Sequence, residues 1–554
     1  MLEQNLIKIY EQSFRDNREM AAITDYFKGE TFSYYEMAKE IAKLHLMFKE
    51  AGVEKGDKIA LIGRNNTRWC ISYIATITYG AIIVPILQDF NPNDVINIIN
   101  HSESKLLFLG DNFWDDIEGE QIPAIEAAFS LTDYHVIYEK SGDKLTNYMK
   151  NIVMHYRDAY PRGFSANDIK YAEVANDEVC LLNYTSGTTG SSKGVMLTVN
   201  NLTGNILFAR EMINPDTNEH FFRKGSRTLS FLPLAHAYGC TFDFLSPLAC
   251  GGHITLLGRI PSPKILVEAM KVTRPNIVCS VPLILEKVYR KMIMPMLEKG
   301  PMSIAMKIPL LNTALYSIIK SKLMASFGGE VGIFIIGGAP MNQETESFLR
   351  KIGFPLTIGY GMTECAPLIG YSPWESFKFG SCGRTVDNVD VRIDSSDAAK
   401  VVGEIQVKGD NVMCGYYKNP EATAAAFTAD GYLRTGDLGI IDKQGNIFIK
   451  GRSKCMILSP NGQNIYPEEI ESILNSLPHV GESLIVERKG GLVALVALQA
   501  DEKCSAEELK EIMEQNRQEL NTRMPAYSKI SAVEIIEGGF EHTPKQSIKR
   551  FLYS

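Results

Sequence analysis

The sequence predicts an α/β fold: a large N-terminal part built on parallel and mixed sheets, then a small α+β part. Three observations carry this expectation. Between Lys58 and Pro85 the chain reads strand, helix, strand, the order of a parallel βαβ unit. Apolar runs of strand length end in Gly-, Ser- or Thr-rich loops near 184 and 337, the position where α/β sheets bind ligands. Beyond residue 454 the composition shifts to short helices and strands. At 554 residues the chain is too long for one core, and length alone suggests roughly three to four structural units.

The N-terminal 17 residues mix charge throughout and hold no apolar signal core. Ser33-x-x-Glu36 reads as a capping box, followed by Met37, Ile41, Leu44 and Phe48 at helical spacing, with Gly52 as the stop. Lys58–Ile62, the apolar helix around Ile71–Tyr79, Ile82–Pro85 and Leu106–Leu109 are scaffold. The longest apolar run, Ile71 to Leu87, is broken by Gly80 and Pro85 and falls short of a membrane span. A net charge of −8 argues against a nucleic-acid partner. Ten cysteines without a Cys-x-x-Cys pair suit reduced thiols in a cytoplasmic setting.

Tyr184–Leu197 reads YTSGTTGSSKGVML. Gly187, Gly190 and Gly194 let backbone approach a ligand, since no Cβ intervenes. Successive N–H groups and hydroxyls then form a donor-lined concavity suited to phosphate oxygens, to which Lys193 adds a positive charge. A GTPase-type P-loop would need a hydroxyl residue after the lysine, whereas Gly194 stands there. Gly190-Ser-Ser192-Lys-Gly194 also fits a serine-hydrolase elbow, but Ser192 lies eight residues past Tyr184 rather than at a strand end. A ligand-free surface linker is the remaining reading. This loop resembles that of the adenylate-forming superfamily, which includes acyl-CoA synthetases, luciferases and peptide-synthetase adenylation domains. It departs only in carrying Ser192 at the usual proline.

The resemblance extends along the chain and implies roles at numbered positions. Thr185, Ser186, Gly187, Thr188, Thr189, Gly190 and Lys193 would cradle the ATP phosphates. Gly338, Ala339 and Pro340 would edge the adenine and Tyr360 stack on it, within Gly359-Tyr360-Gly361-Met362-Thr363-Glu364. Thr363 would meet the α-phosphate, and Glu364, with Thr188, would hold Mg²⁺, a hard cation kept by carboxylate and phosphate oxygens. Asp437, within Arg434-Thr-Gly-Asp437, would clamp the ribose, and Arg452 would make a second ribose contact. His236, in Pro233-Leu-Ala-His236, either lines the carboxylate end of an acyl site or is a satisfied core histidine. Lys454 marks the hinge, which divides an adenylation domain (1–452) from a mobile C-terminal domain (453–554). Coenzyme A would enter after that domain rotates, near the Asn461-Gly462-Gln463-Asn464 turn.

Residues 291–327 carry five lysines, one glutamate and six methionines. They read as a pair of core helices, as an adaptable wall for a lipid tail, or as a basic surface touching the inner face of a membrane. The segment is similar to the insertion of long-chain fatty-acid CoA ligases, which implies a fatty-acid substrate. An aryl acid or a carrier-protein thiol acceptor would use the same nucleotide site, and a weakly catalytic acyl-adenylate- or ATP-binding protein would keep the same motifs. One departure stands out. The superfamily's C-terminal motif resembles Thr-x-x-x-Lys-x-x-Arg, and Thr543–Arg550 places Ser547 at the lysine. If the segment is extended, Lys545 and Lys549 share a face with Ser547 and stand as substitute cations.

Overall fold

Strands rich in Ile, Val and Leu, buried on both faces, build two large sheets whose inner strands run parallel, as continuous apolar runs dictate. The computed structural model describes residues 1–185, 192–259, 261–297, 309–458, 463–488, 491–499, 504–543 and 547–553, with side chains for all of these except 111, 291, 292, 296, 309–311 and 526. The first sheet orders its strands Leu356–Ile358, Ile333–Ile336, Ile277–Ser280, Arg227–Ser230, His253–Leu256, Ala21–Asp25 and Thr31–Ser33, parallel except for the last. The second runs Gly415–Tyr416, Lys193–Thr198, Val179–Thr185, Ile82–Ile86, Lys58–Ile62, Leu106–Leu109, Ala127–Ser130 and Val136–Glu139. Its five central strands, Val179–Thr185 to Ala127–Ser130, are parallel.

Local sequence explains the helices between them. The helix Tyr34–Glu50 is closed by the expected capping box: Ser33 accepts from the Glu36 backbone, and the Glu36 side chain accepts from the Ser33 backbone. Thr67–Tyr79 is apolar on every side and sits wholly inside, ended by Gly80 in a left-handed conformation. Asn65, just past Lys58–Ile62, donates to the Leu232 carbonyl and accepts from the Leu234 amide. It thereby joins the C-terminal ends of the two sheets.

A four-stranded antiparallel sheet (Val389–Asp394, Gly403–Gly409, Leu433–Ile441, Ile447–Arg452) leads out of the large domain. Beyond it, Val480–Arg488, Gly491–Leu498 and Ile530–Ile535 form a small sheet with its own buried core against the helices Pro467–Leu474 and Ala506–Arg523. The opposite face of that sheet buries Phe540 in a further cluster. The large and small domains thus have separate cores. Glu471, buried in the small one, is held by the Arg550 guanidinium and by the Ile485 amide at 2.7 Å.

The chain from Glu541 to Lys549 departs from the extended reading. The Thr543 amide donates to the Ser547 carbonyl at 2.8 Å, and the Lys549 amide donates to the Glu541 carbonyl at 2.8 Å. The segments 541–543 and 547–549 thus pair antiparallel, and Lys545 lies outside the described residues.

His45 gives this fold a measurable pH dependence. Its Nε2 donates to the Ala75 carbonyl at 3.0 Å, and burial lowers its pKa from 6.5 to about 4. The unfolded chain therefore binds a proton that the native chain does not, between those two values. Stability present above pH 6.5 should be lost as pH falls towards 4, on the order of 1–2 kcal/mol once partial exposure is discounted. Urea denaturation at both ends of this window should show the loss, and His45→Gln should remove most of it.

Candidate active site

The polar loop at 184–197 lies between two antiparallel strands. Val179–Thr185 and Lys193–Thr198 pair in register, Tyr184 opposite Gly194 and Thr185 opposite Lys193. A P-loop and a nucleophile elbow both lead from strand to helix, so this connection is neither. Its anchors are well held: the Tyr184 hydroxyl meets His101 Nδ1 at 2.7 Å, and Asn183 donates to the Ala235 carbonyl at 3.2 Å. Ser186, Gly187, Thr188, Thr189 and Gly190 lie outside the described residues, as do Asn461 and Gly462. Thr185 and Lys193 are both half-buried at the mouth of the loop.

Lys193 reaches Tyr416, with its ammonium 5.0 Å from the ring centroid, a cation–π distance. The Tyr416 hydroxyl donates to Glu364 Oε1 at 3.0 Å. Tyr416 is positioned by its pairing with Val195 and by its own amide, which donates to Thr423. A half-buried carboxylate is thus joined to the loop lysine through one aromatic ring. Sequence reading missed Tyr416, because the short strand Gly415–Tyr416 carries no motif and gains its role by pairing with a strand some 220 residues earlier.

The turn that holds Glu364 is constrained from both sides. Tyr360–Gly361 pairs with Leu368–Tyr371, and a Cβ at Gly361 would stand 2.2 Å from the Pro367 carbonyl oxygen. Only glycine fits there. Three asparagines of the helix Val199–Glu211 and its surroundings secure the same region: Asn205 accepts from the Leu368 amide, Asn201 donates to the Asp410 and Val412 carbonyls, and Asn411 donates to the Leu368 carbonyl. Thr363 is buried, while Gly361 is exposed and Met362 half-buried. Gly338, Ala339 and Pro340 follow the strand Ile333–Ile336 and are exposed, with Gly338 at φ 86°.

Asp437 is 5% exposed, and both of its oxygens are engaged. The Tyr360 hydroxyl donates to Oδ2 at 2.8 Å, and Arg452 Nε lies 3.1 Å from Oδ1. Register places Asp437 opposite Arg452 on neighbouring strands. Burial pushes the carboxyl upward, while Arg452 and then Tyr360 pull it back toward the ionised form. A carboxylate has about four acceptor sites, so this one retains capacity for further donors. Tyr360, Asp437 and Arg452 therefore form one unit. His236 caps a short helix by accepting from the Tyr238 amide and is half-buried. Beside its segment lies a cavity of about 260 Å³ lined by Asn65, Gln88, Asp89, Phe231, Pro233, Gly258 and Arg259. Lys549 pairs with Glu541 at 3.3 Å, and Lys454 lies in the turn Ser453–Cys455 directly after Arg452.

Glu364 is suited to a divalent cation that brings its other ligands with it. Among the described residues no group of three or more His, Cys, Asp or Glu could hold a metal ion. A lone carboxylate together with nucleotide phosphates is nevertheless a usual Mg²⁺ environment. The ion pair at Asp437 can be tested directly. Asp437→Asn removes the charge shared by Tyr360 and Arg452, and a charge-assisted bond is worth about 1.5–3 kcal/mol. ATP affinity measured by calorimetry should fall roughly tenfold to a hundredfold, and an unchanged Kd would make Asp437 purely structural.

Comparison with known proteins bears on family and fold. The AMP-binding enzyme model matches residues 10–417, and the AMP-binding enzyme C-terminal domain model matches residues 455–553. The chain is 28% identical over 484 residues to long-chain-fatty-acid–CoA ligase FadD15 of Mycobacterium tuberculosis, covering 84% of this chain and 76% of that protein. It is 26% identical over 505 residues to the long-chain-fatty-acid–CoA ligase of Escherichia coli O6:H1, covering 86% and 82%. The solved structure of ATP-bound MatB from Rhodopseudomonas palustris superposes with a TM-score of 0.76 at 22% identity, over 99% of this chain and 98% of that one. O-succinylbenzoate coenzyme A synthetase from Bacillus subtilis, in complex with AMP, gives 0.75 at 22%, over 99% and 98%. At these identities the structures speak to fold alone. Matched over residues 10–417 by one family model and over residues 455–553 by the model of its C-terminal domain, the chain belongs to the AMP-binding enzyme family.

Proposed function

We propose that this protein is an AMP-forming acyl-CoA synthetase that activates a long-chain fatty acid. The observation that carries the reading is the Tyr360–Asp437–Arg452 unit, set one short turn from the Glu364–Tyr416–Lys193 series within a chain of the AMP-binding family. The long-chain-fatty-acid–CoA ligases among its relatives support the acid class.

In the first half-reaction an oxygen of the acid attacks the α-phosphorus of ATP, and the bond to the pyrophosphate oxygen breaks. Asp437 accepts from the ribose hydroxyls while Arg452 and Tyr360 hold it in place. Lys193 and the loop donors offset charge on the departing pyrophosphate, and Glu364 would hold Mg²⁺, which supplies Lewis-acid stabilisation when bound. Catalysis on this account is positioning and electrostatics. In the second half-reaction the coenzyme A sulfur attacks the acyl carbon, the bond to AMP breaks, and the thiol proton leaves to solvent. The Arg452–Lys454 junction is where the small domain would turn to admit the thiol.

Residues 291–327 are assigned to peripheral contact with a membrane. Among the described residues no helix is long and apolar enough to cross one. Leu283 and Ile318 are each more than half exposed, on helices that both touch the helix Pro263–Thr273, itself bearing the exposed Val272. Binding to anionic vesicles should be detectable by co-sedimentation at low ionic strength and should fall with added salt. Absence of binding at low salt refutes this contact.

The reaction itself is tested by ATP-dependent pyrophosphate release across fatty, aryl and short acids, with fatty acids expected to be used best. A serine hydrolase would need no ATP, and Ser192→Ala should leave a ligase largely active. Ser547 requires another cation at the α-phosphate. Lys549→Ala or Lys545→Ala should slow adenylation by about 10²–10³, yet leave thioester formation from supplied acyl-adenylate intact. If neither does so and Ser547→Lys accelerates the first step by orders of magnitude, the native protein is a weak adenylating enzyme instead.

A further inference from the structure

Directly after the His236 segment the helix widens into a π-helical stretch, Cys240–Leu245, a departure often found at functional sites. At its centre Asp243 is completely buried, and among the described residues neither of its oxygens has a hydrogen-bond partner. Isolated burial of a carboxyl costs several kcal/mol unless something compensates for it. The surroundings are polar as well. Thr228 and Ser230 lie on one face of the strand Arg227–Ser230, and their hydroxyls, like that of Ser246 one turn beyond Asp243, are buried and unpartnered among the described residues. Pairing of Thr228 with Ile277 brings Cys279 alongside Ser230. Cys279 and Ser230 lie close enough to Asp243 to favour its ionised form, but burial dominates and pushes the carboxyl well above its ordinary range.

Tyr238 connects this cluster to the candidate active site. Its hydroxyl donates to the Ile335 carbonyl at 2.9 Å, and its ring lies 3.2 Å from where a Cβ at Gly337 would stand. Gly337 opens the Gly-Ala-Pro segment past that strand. On its other side Tyr238 neighbours Cys279 and Asp243, five residues further along, which a π-helical turn brings to the same face. Asp243 stands seven residues beyond His236, about 10 Å along a helix. An acid whose carboxylate is held near His236 would therefore send its chain past Tyr238 toward Asp243.

The geometry points to a polar floor in the acyl site: Asp243, Ser230, Thr228 and Ser246 recognise a hydroxyl carried part-way along the acyl chain, so the preferred substrate is a hydroxylated fatty acid. This deepens the fatty-acid ligase reading and rests on it. The cluster offers three hydroxyls and a carboxyl and no cation, which suits a hydroxyl better than a second carboxylate. A hydroxyl there would satisfy groups that a plain methylene leaves unpaired, and a site built for a hydroxyl discriminates strongly against the analogue that lacks it.

The test compares pyrophosphate release from palmitate with that from a set of its monohydroxylated derivatives, with the hydroxyl at successive positions. Some mid-chain hydroxy acid should exceed palmitate in kcat/KM by about ten- to a hundredfold. Asp243→Leu should bring that ratio close to one, and Asp243→Asn, which still hydrogen-bonds, should retain part of it. Thermal melting of each variant separates this effect from misfolding, and the wild-type ratio stands without either variant. If palmitate is used as well as every hydroxy acid, the polar floor is refuted while the ligase reading survives. A preference for amino-substituted acids would also overturn the hydroxyl assignment. Absence of pyrophosphate release with every acid would refute the ligase reading itself.

Discussion

A buried carboxylate must be compensated or it shifts to its neutral form, and the arrangement around Asp437 follows from that constraint. The guanidinium of Arg452 and the hydroxyl of Tyr360 draw it toward the ionised form against the effect of burial. Tyr360 belongs to the glycine-rich turn beside the first parallel sheet, whereas Asp437 and Arg452 face each other across the antiparallel sheet that leads to the hinge. One ion pair and one hydrogen bond thus tie the glycine-rich turn to the last strand of that sheet. Asp437 is buried while the Arg452 side chain is 62% exposed, so removing Tyr360 or Arg452 would leave the buried carboxyl under-compensated, which is more costly than the loss of a surface salt bridge.

The rest of the site is held by polar side chains that look structurally unimportant in isolation. Asn201, Asn205 and Asn411 are buried and satisfy backbone groups of Leu368, at the start of the short strand Leu368–Tyr371, and of the 410–412 segment. Each unmet backbone group would cost about 1–3 kcal/mol, so these amides hold the 360–371 and 410–412 segments in register. Tyr416 then adds a second link, between the loop lysine and Glu364. Pre-organisation of this kind lets a few charges act on a ligand without rearranging first.

The two domains have separate cores, and polar contacts join them. Arg290, on the helical segment before the methionine-rich stretch, donates to the carbonyls of Asn475 and Val480 in the small domain. Lys450 pairs with Glu469 across the junction at 2.8 Å. Polar contacts of this type can be exchanged for water at modest cost, whereas a shared apolar core could not be opened. The helical segment carrying Arg290 thereby links the large domain to the small one.

Local physics made much of this legible from the sequence. The capping box at Ser33, the proline at the first turn of Pro467–Leu474, the Ser505 cap and the apolar strand runs each depend on neighbours a few residues away. The glycine-rich motifs were readable for the same reason. Tertiary structure alone decided what these motifs meet. Tyr360 and Asp437 are 77 residues apart, and no periodicity encodes their hydrogen bond. Tyr416 acquires its part through a strand pairing formed across the whole large domain. The segments 541–543 and 547–549 are brought opposite each other by two backbone bonds. Asp243 sits within an apolar run of the sequence, and only the fold shows that its carboxyl is buried among hydroxyls without a partner of its own. Spacing along a chain reports what lies within a few residues, whereas compensation of buried charge depends on segments that only folding brings together.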